Sequence, residues 1–170
     1  MALLRRKQEV WDGTERRAPA RVLVVSDDAG ACELLVRILN RAGFRTTGEH
    51  TIDDAVAAVH EDMPRCVVLA LSAGGIGSNL KVLDTLRSNE DRRISSVRAV
   101  IIADNPRNRA FSFQSGTDAF LIRPFSADEL VANVDDVLQR PDDERALHRR
   151  DELARHGELL DGTEASPSLG

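Results

Sequence analysis

Arg21-Val22-Leu23-Val24-Val25-Ser26-Asp27-Asp28 is an unbroken apolar run closed by a serine and two aspartates. A strand with one wet face would alternate apolar and polar residues. This run does not alternate and is rich in valine, so it reads as a short strand buried on both faces. Ser26, Asp27 and Asp28 end it, because such side chains bond to nearby backbone and favour turns. The same signature returns in Cys66-Val67-Val68-Leu69-Ala70-Leu71, in residues 98–103 around Val100, Ile101 and Ile102, and in Ala119-Phe120-Leu121-Ile122. Residues 44–49 are a weaker, polar strand, as expected of a sheet edge.

Between these runs the apolar period changes from continuous to helical. Leu34, Leu35, Ile38, Leu39 and Ala42 recur at three- and four-residue steps, and Gly43 follows where a helix C-cap belongs. Thr51 opens the next helix with Asp54 as its capping-box partner, and Ile52, Ala55, Val56 and Val59 form the buried face. A Gly-rich loop from Ser72 to Ser78 leads into a helix carrying Leu80, Val82, Leu83 and Leu86. A fourth helix is expected over about 106–114. A fifth opens at Ser126, with Glu129 completing its capping box and Leu130, Val131, Val134, Val137 and Leu138 as its stripe. Buried strands alternating with amphipathic helices require a parallel sheet covered on both faces. Right-handed crossovers then give an α/β doubly wound fold, with the five strands in the order 2-1-3-4-5.

The 170 residues are 42% hydrophobic and 30% charged, with a net charge of −5, a globular composition. No apolar run is long enough for a membrane span, and MALLRRKQEV lacks the apolar core of a secretory signal. Two cysteines, Cys32 and Cys66, make neither a disulfide framework nor a zinc site, so a reducing, cytoplasmic setting is expected. Tyrosine is absent and Trp11 is the sole tryptophan, a poor inventory for stacking on nucleic-acid bases. The organisation expected is a basic, flexible leader at 1–20, a body at 21–140, and a helical extension with a disordered end at 141–170. In that extension Ala146, Leu147, Leu153, Ala154, Leu159 and Leu160 fall at near-heptad intervals, either as a solvated helix or as a docking helix for a partner.

Ligands of doubly wound sheets bind outside the carboxyl ends of the strands, at the switch between strands one and three. That rule nominates Ser26, Asp27, Asp28, Ala70, Leu71, Ser72, Ala103, Asp104, Arg123 and Pro124. Asp28 is equally readable as a helix cap. Gly75-Ile76-Gly77 invites a dinucleotide reading, but Leu80 stands where a third glycine belongs, so a turn is preferred. His50, His60, His148 and His156 are scattered, without metal-ligand spacing.

Val22 to Asp28, Val67 to Leu71 and Arg123-Pro124-Phe125, followed by Ser-Ala-Asp-Glu-Leu, resemble the receiver domain of bacterial response regulators over about residues 21–140. The resemblance implies a flavodoxin-like fold and, in the family, phosphoryl transfer from a histidine kinase to an aspartate ending strand three. It also implies a Mg²⁺ ion on an acidic pair after strand one, with a Ser or Thr after strand four and a Lys after strand five on the phosphoryl oxygens. This chain departs at most of these positions. Ala70 stands at the phosphoacceptor, Ser26 at the first acidic position, Asp104 at the Ser/Thr position and Arg123 at the Lys position. Ser72 is a nearby hydroxyl without an evident base.

A degenerate, pseudo-receiver type is therefore expected. It would be no enzyme, bind Mg²⁺ weakly or not at all, and act in two-component or phosphorelay signalling through protein contact. Arg123 is expected to pair with Asp104 or Asp27. Phe120 takes the family's aromatic switch position, although a core role is as well supported. The surface of the fourth helix, fifth strand and fifth helix is the expected contact face, including for a homodimer. The partners expected are a histidine kinase or a downstream effector, with neither nucleic acid nor membrane, since residues 141–170 are too few for a DNA-binding output domain. The competing reading is a small nucleotide or anion sensor using the Gly-rich loop crevice.

Overall fold

The computed structural model describes residues 18–73 and 75–161. The expectations for most of the leader (1–17) and for the end of the tail (162–170) lie outside the described residues. Five strands, β1 (Arg21–Val25), β2 (Arg45–Glu49), β3 (Cys66–Leu69), β4 (Arg98–Ala103) and β5 (Ala119–Ile122), form one parallel sheet in the order β2-β1-β3-β4-β5. The register pairs Val25 with Glu49 on one side and with Leu69 on the other, so the carboxyl ends of the central strands lie level.

Among the described residues seven helices connect and follow the strands: α1 (Ala29–Arg41), α2 (Ile52–Asp62), α3 (Ile76–Arg87), α4 (Arg92–Ser95), α5 (Arg109–Gln114), α6 (Ala127–Gln139) and α7 (Asp142–Asp161). Side chains of β1 alternate between two cores. Leu23 and Val25 join α2, α3 and α4 on one face, while Val22 and Val24 join α1 and α6 on the other. Both layers are built of buried apolar side chains, and each fully buried Leu, Ile or Val contributes about 1.5–3 kcal/mol.

The helix ends follow the residues expected. Thr51 accepts a bond from the Asp54 amide, and Ser126 with Glu129 makes a reciprocal capping box. The Asp54 carboxylate departs slightly from expectation: it accepts from the Thr51 hydroxyl rather than from the backbone. Gly43 takes φ +97° just past α1. At Gly48 a Cβ would lie 2.6 Å from the Cys32 sulfur, so only glycine lets α1 approach the edge strand β2 this closely.

Three elements differ from expectation. β3 stops at Leu69, although the Ala70 amide still bonds to the Val25 carbonyl at 2.8 Å. The expected helix at 106–114 divides into a 3₁₀ turn at Pro106–Asn108 and the one-and-a-half-turn α5. α4 was not expected; Asp91 caps it and Ile94 is its sole buried side chain, too little for a period to show.

Candidate functional site

The crevice at the carboxyl ends of β1, β3, β4 and β5 gathers the residues that the topology rule nominated. Ser26 is fully buried, its hydroxyl 3.3 Å from the Asp28 amide and carbonyl. Its backbone carbonyl lies 2.9 Å from His50 Nδ1, which brings His50 from the end of β2 to the rim of the site. Asp28 is the N-cap of α1 and accepts from the Ala31 amide at 2.9 Å, so its cap reading holds.

Asp27 crosses from β1 to the loop after β3. Oδ1 accepts from the Ser72 amide at 2.9 Å and the Ser72 hydroxyl at 3.0 Å, and Oδ2 accepts from the Ala73 amide at 2.5 Å. The Ser72 amide bond, opposed by partial burial and reinforced by Ala73 and the Ser72 hydroxyl, holds the Asp27 carboxyl below its ordinary pKa. A carboxylate with both oxygens so engaged is a staple between two loops.

Ala70 has no exposed surface and packs in the core layer of α1 and α6. Beyond it the loop is pinned by Asn79 of α3, which accepts from the Leu71 amide at 2.8 Å and donates to the Leu71 carbonyl at 3.0 Å. Across the crevice, Arg123 Nη1 donates to Asp104 Oδ1 at 3.3 Å. Of the two partners left open for Arg123, the fold supplies Asp104. The pair is wet, with 73% of the Asp104 side chain exposed, so its worth is at most about 1 kcal/mol. A cavity of about 140 Å³ lies between them, lined by Ser72, Gly75, Asn79, Asp104, Asn108 and Arg123 among others. It is smaller than the usual small-molecule pocket.

The residues present do not fit a magnesium ion. Mg²⁺ needs near-octahedral oxygen ligation, usually with one or two carboxylates. Here Ser26 is buried and turned to its own loop, Ala70 offers a methyl group, and Asp27 is engaged by three donors. Among the described residues no group of three or more His, Cys, Asp or Glu is placed to share a metal.

Phe120 is 5% exposed and faces the core layer of α2 and α3, with the Arg109 guanidinium 5.8 Å from its ring centroid. Its neighbourhood departs from expectation. α7 packs along α5 and covers part of the face expected to be open for a homodimer. The covering is ionic. Arg145 and Arg149 of α7 reach Asp118, a 1%-exposed carboxylate at the start of β5, and Arg87 of α3 reaches it from the other side.

Sequence reasoning missed Asn79, His50 and Asp118. Asn79 had a local signal, since it shares the three-four period of Val82, Leu83 and Leu86 as a polar member of a buried face. His50 and Asp118 had none: their partners lie 24 residues and up to 31 residues away.

No family model matches the chain. It is 34% identical over 126 residues to the DNA-binding response regulator MtrA of Mycobacterium tuberculosis (strain ATCC 25618 / H37Rv), covering 74% of this chain and 54% of that protein. It is 28% identical over 120 residues to the phosphate regulon transcriptional regulatory protein PhoB of Escherichia coli (strain K12), covering 71% and 52%. The chain thus spans about half the length of the curated relatives it matches.

Among solved structures, the chemotaxis response regulator CheY4 of Vibrio cholerae superposes with a TM-score of 0.61 at 15% identity, over 70% of this chain and 98% of that one. The receiver domain of the Francisella response regulator 1452 gives 0.61 at 22% identity, over 71% and 98%. The fold is that of receiver domains, and the relatives in sequence are response regulators. Among the described residues no helix is long and apolar enough to cross a membrane.

Proposed function

From a receiver fold and response-regulator relatives as premise, we propose that this chain is a pseudo-receiver: a signalling module of the two-component kind that acts by protein contact without accepting a phosphoryl group. The observation that carries this reading is Ala70, a methyl group with no exposed surface at the position where the family resemblance puts the phosphoacceptor. An acceptor needs an oxygen and a path for the donor, and this position has neither. Asp27 supports the same conclusion, because it ties the loops after β1 and β3 together in place of a metal. The Asp104–Arg123 pair spans the ends of β4 and β5 and biases the crevice toward one arrangement.

Contrary to the sequence expectation, Ser72 has a carboxylate beside it, since its hydroxyl donates to Asp27 Oδ1 at 3.0 Å. That carboxylate is a poor base, because the Ser72 and Ala73 amides hold its pKa below the ordinary value, so Ser72 is a weaker acceptor than an aspartate. The partners that fit this reading are a kinase or a downstream effector protein that recognises the fold rather than the phosphorylation state.

Incubation with acetyl phosphate and Mg²⁺, followed by intact-mass measurement, tests the proposal. The expected result is an unchanged mass in the parent chain and in Ser72→Ala. A phosphoryl adduct on the parent that maps to the crevice overturns it. Calorimetric titration gives an independent reading: micromolar Mg²⁺ binding abolished by Asp27→Ala contradicts the absence of a metal site.

A further inference from the structure

α7 is an unusual docking helix, because the face it buries is polar. Arg145, His148, Arg149, Glu152 and Leu153 follow the i, i+3, i+4, i+7, i+8 spacing of a buried stripe, yet Leu153 is the one aliphatic residue among them. Of the apolar residues that invited a docking reading, Leu153 packs inward, whereas Ala146 and Ala154 are exposed and Leu147 is 56% exposed; the side chains of Leu159 and Leu160 lie outside those described. The body offers α7 two polar sites. At one end the Asp118 carboxylate takes Arg145 Nε at 2.9 Å and Nη2 at 3.0 Å, and Arg149 Nη2 at 3.0 Å. The Ser96 and Thr117 carbonyls accept from the same two arginines. At the other end Arg109 Nη2 donates to Glu152 at 3.4 Å. Between them the His148 and Phe113 rings meet in a T-shaped pair, their centroids 6.0 Å apart.

Beneath this contact the body has bonds of its own. Asp118 still holds Arg87 and accepts from the Ala99 amide at 3.0 Å without any residue of α7. The Ile122, Phe120 and Phe113 side chains belong to the core layer shared with α2 and α3. Desolvating several charges costs nearly what their attraction returns, so an interface made this way is poorly stabilised in net terms compared with an aliphatic one. Helix α7 follows α6 through the short link Arg140-Pro141.

We propose that α7 is a displaceable cover: it undocks as a unit from a body that stays folded, and so controls access to the face formed by Arg109, Phe113, Thr117 and Asp118. Docked, it holds that face closed to other chains. Undocked, it uncovers aromatic surface and a carboxylate that binds arginine. The proposal goes beyond the signalling reading, because the opening is measurable whether or not a phosphoryl group is ever accepted.

Hydrogen–deuterium exchange on the full chain tests it, in the parent and in Glu152→Gln/Leu153→Ala, which leaves the Asp118 cluster intact. Amides of 146–156 are expected to exchange at least about tenfold faster than those of β3 and β4 in the parent. In the variant they are expected to quicken at least about tenfold more, with β3 and β4 unchanged. The variant is also expected to bind more of a dye specific for exposed apolar surface while keeping the parent's circular dichroism. Exchange of α7 and the sheet at one common rate in both chains overturns the proposal. So does a variant whose α7 protection equals the parent's. Collapse of the variant's sheet protection along with that of α7 overturns it too, since α7 would then belong to the core.

Discussion

At Ala70 one methyl group separates this chain from a phosphoacceptor, but replacing it does not restore one. Ala70 packs between buried residues of the α1 and α6 layer, and its amide is already bonded to Val25. A carboxylate there has neither a metal nor a lysine to compensate it, because Asp27 is held by Ser72 and Ala73 and the basic residue across the crevice is paired with Asp104. Ala70→Asp is expected to destabilise the fold by about 1–3 kcal/mol in urea unfolding and to remain unlabelled by acetyl phosphate. Asp27 yields a pH prediction of definite sign. Its folded pKa is lowered, so its contribution is complete above the ordinary carboxylate value of 3.8 and is lost as pH falls through the lower folded value. Amide exchange of residues 71–73, corrected for intrinsic rate, is therefore expected to be flat from neutral pH down to that range and to rise below it. In Asp27→Ala it is expected to be fast throughout.

Elements whose instructions are local were legible in the sequence; those whose partners are distant were not. β1, β4 and β5 carry their burial in unbroken apolar runs, and α6 announces both its start, through Ser126 and Glu129, and its buried face. α7 shows the limit. A helix in this region was readable from the near-heptad spacing, but its docking face was largely not, because a search for apolar residues selects Ala146, Leu147 and Ala154, which the fold exposes, along with Leu153, which packs inward. Charged residues on a helix usually face water, and nothing within residues 142–156 marks Arg145 and Glu152 as buried. His148, packed against Phe113 in the docked face, is expected to make the docking sensitive to mild acid. Burial first, and then the nearby Arg140, lower its pKa below 6.5, while Glu152, Asp136 and Asp118 oppose that shift. A lowered folded pKa means that its contribution to docking is complete above 6.5 and is lost as pH falls through the folded value. Intrinsic-rate-corrected exchange of α7 is expected to quicken as pH drops from about 7 to 5, and His148→Asn is expected to flatten that response.

For the molecule as a whole, Asp118 joins parts that the sheet alone does not. Its carboxylate takes the Ala99 amide of β4, Arg87 of α3, and Arg145 and Arg149 of α7, while its own amide bonds to the Ala99 carbonyl. Burial alone would raise its pKa, but Arg145 by hydrogen bond and charge, then Arg149 and Arg87, overcome that and lower it. Burial and the neighbouring arginines bring Arg87 down to about 10 despite Asp118, which leaves it charged at neutral pH. The cluster therefore holds more positive than negative charge around a single buried anion. Neutralising that anion leaves Arg87 buried beside an uncharged partner even when α7 carries its own two arginines into water, and removing one partner of a buried pair costs about 3–5 kcal/mol. Against the roughly 5–15 kcal/mol total of an ordinary domain, that is a large fraction. Asp118→Asn keeps the shape and removes the charge, so it is expected to lower the urea midpoint sharply with little change in slope. Asp104→Asn, which neutralises a carboxylate of the same kind in the wet crevice, is expected to shift the midpoint by less than about 0.5 kcal/mol equivalent. If the two substitutions shift the midpoint equally, the buried cluster is not what joins α7, α3 and the β4–β5 edge.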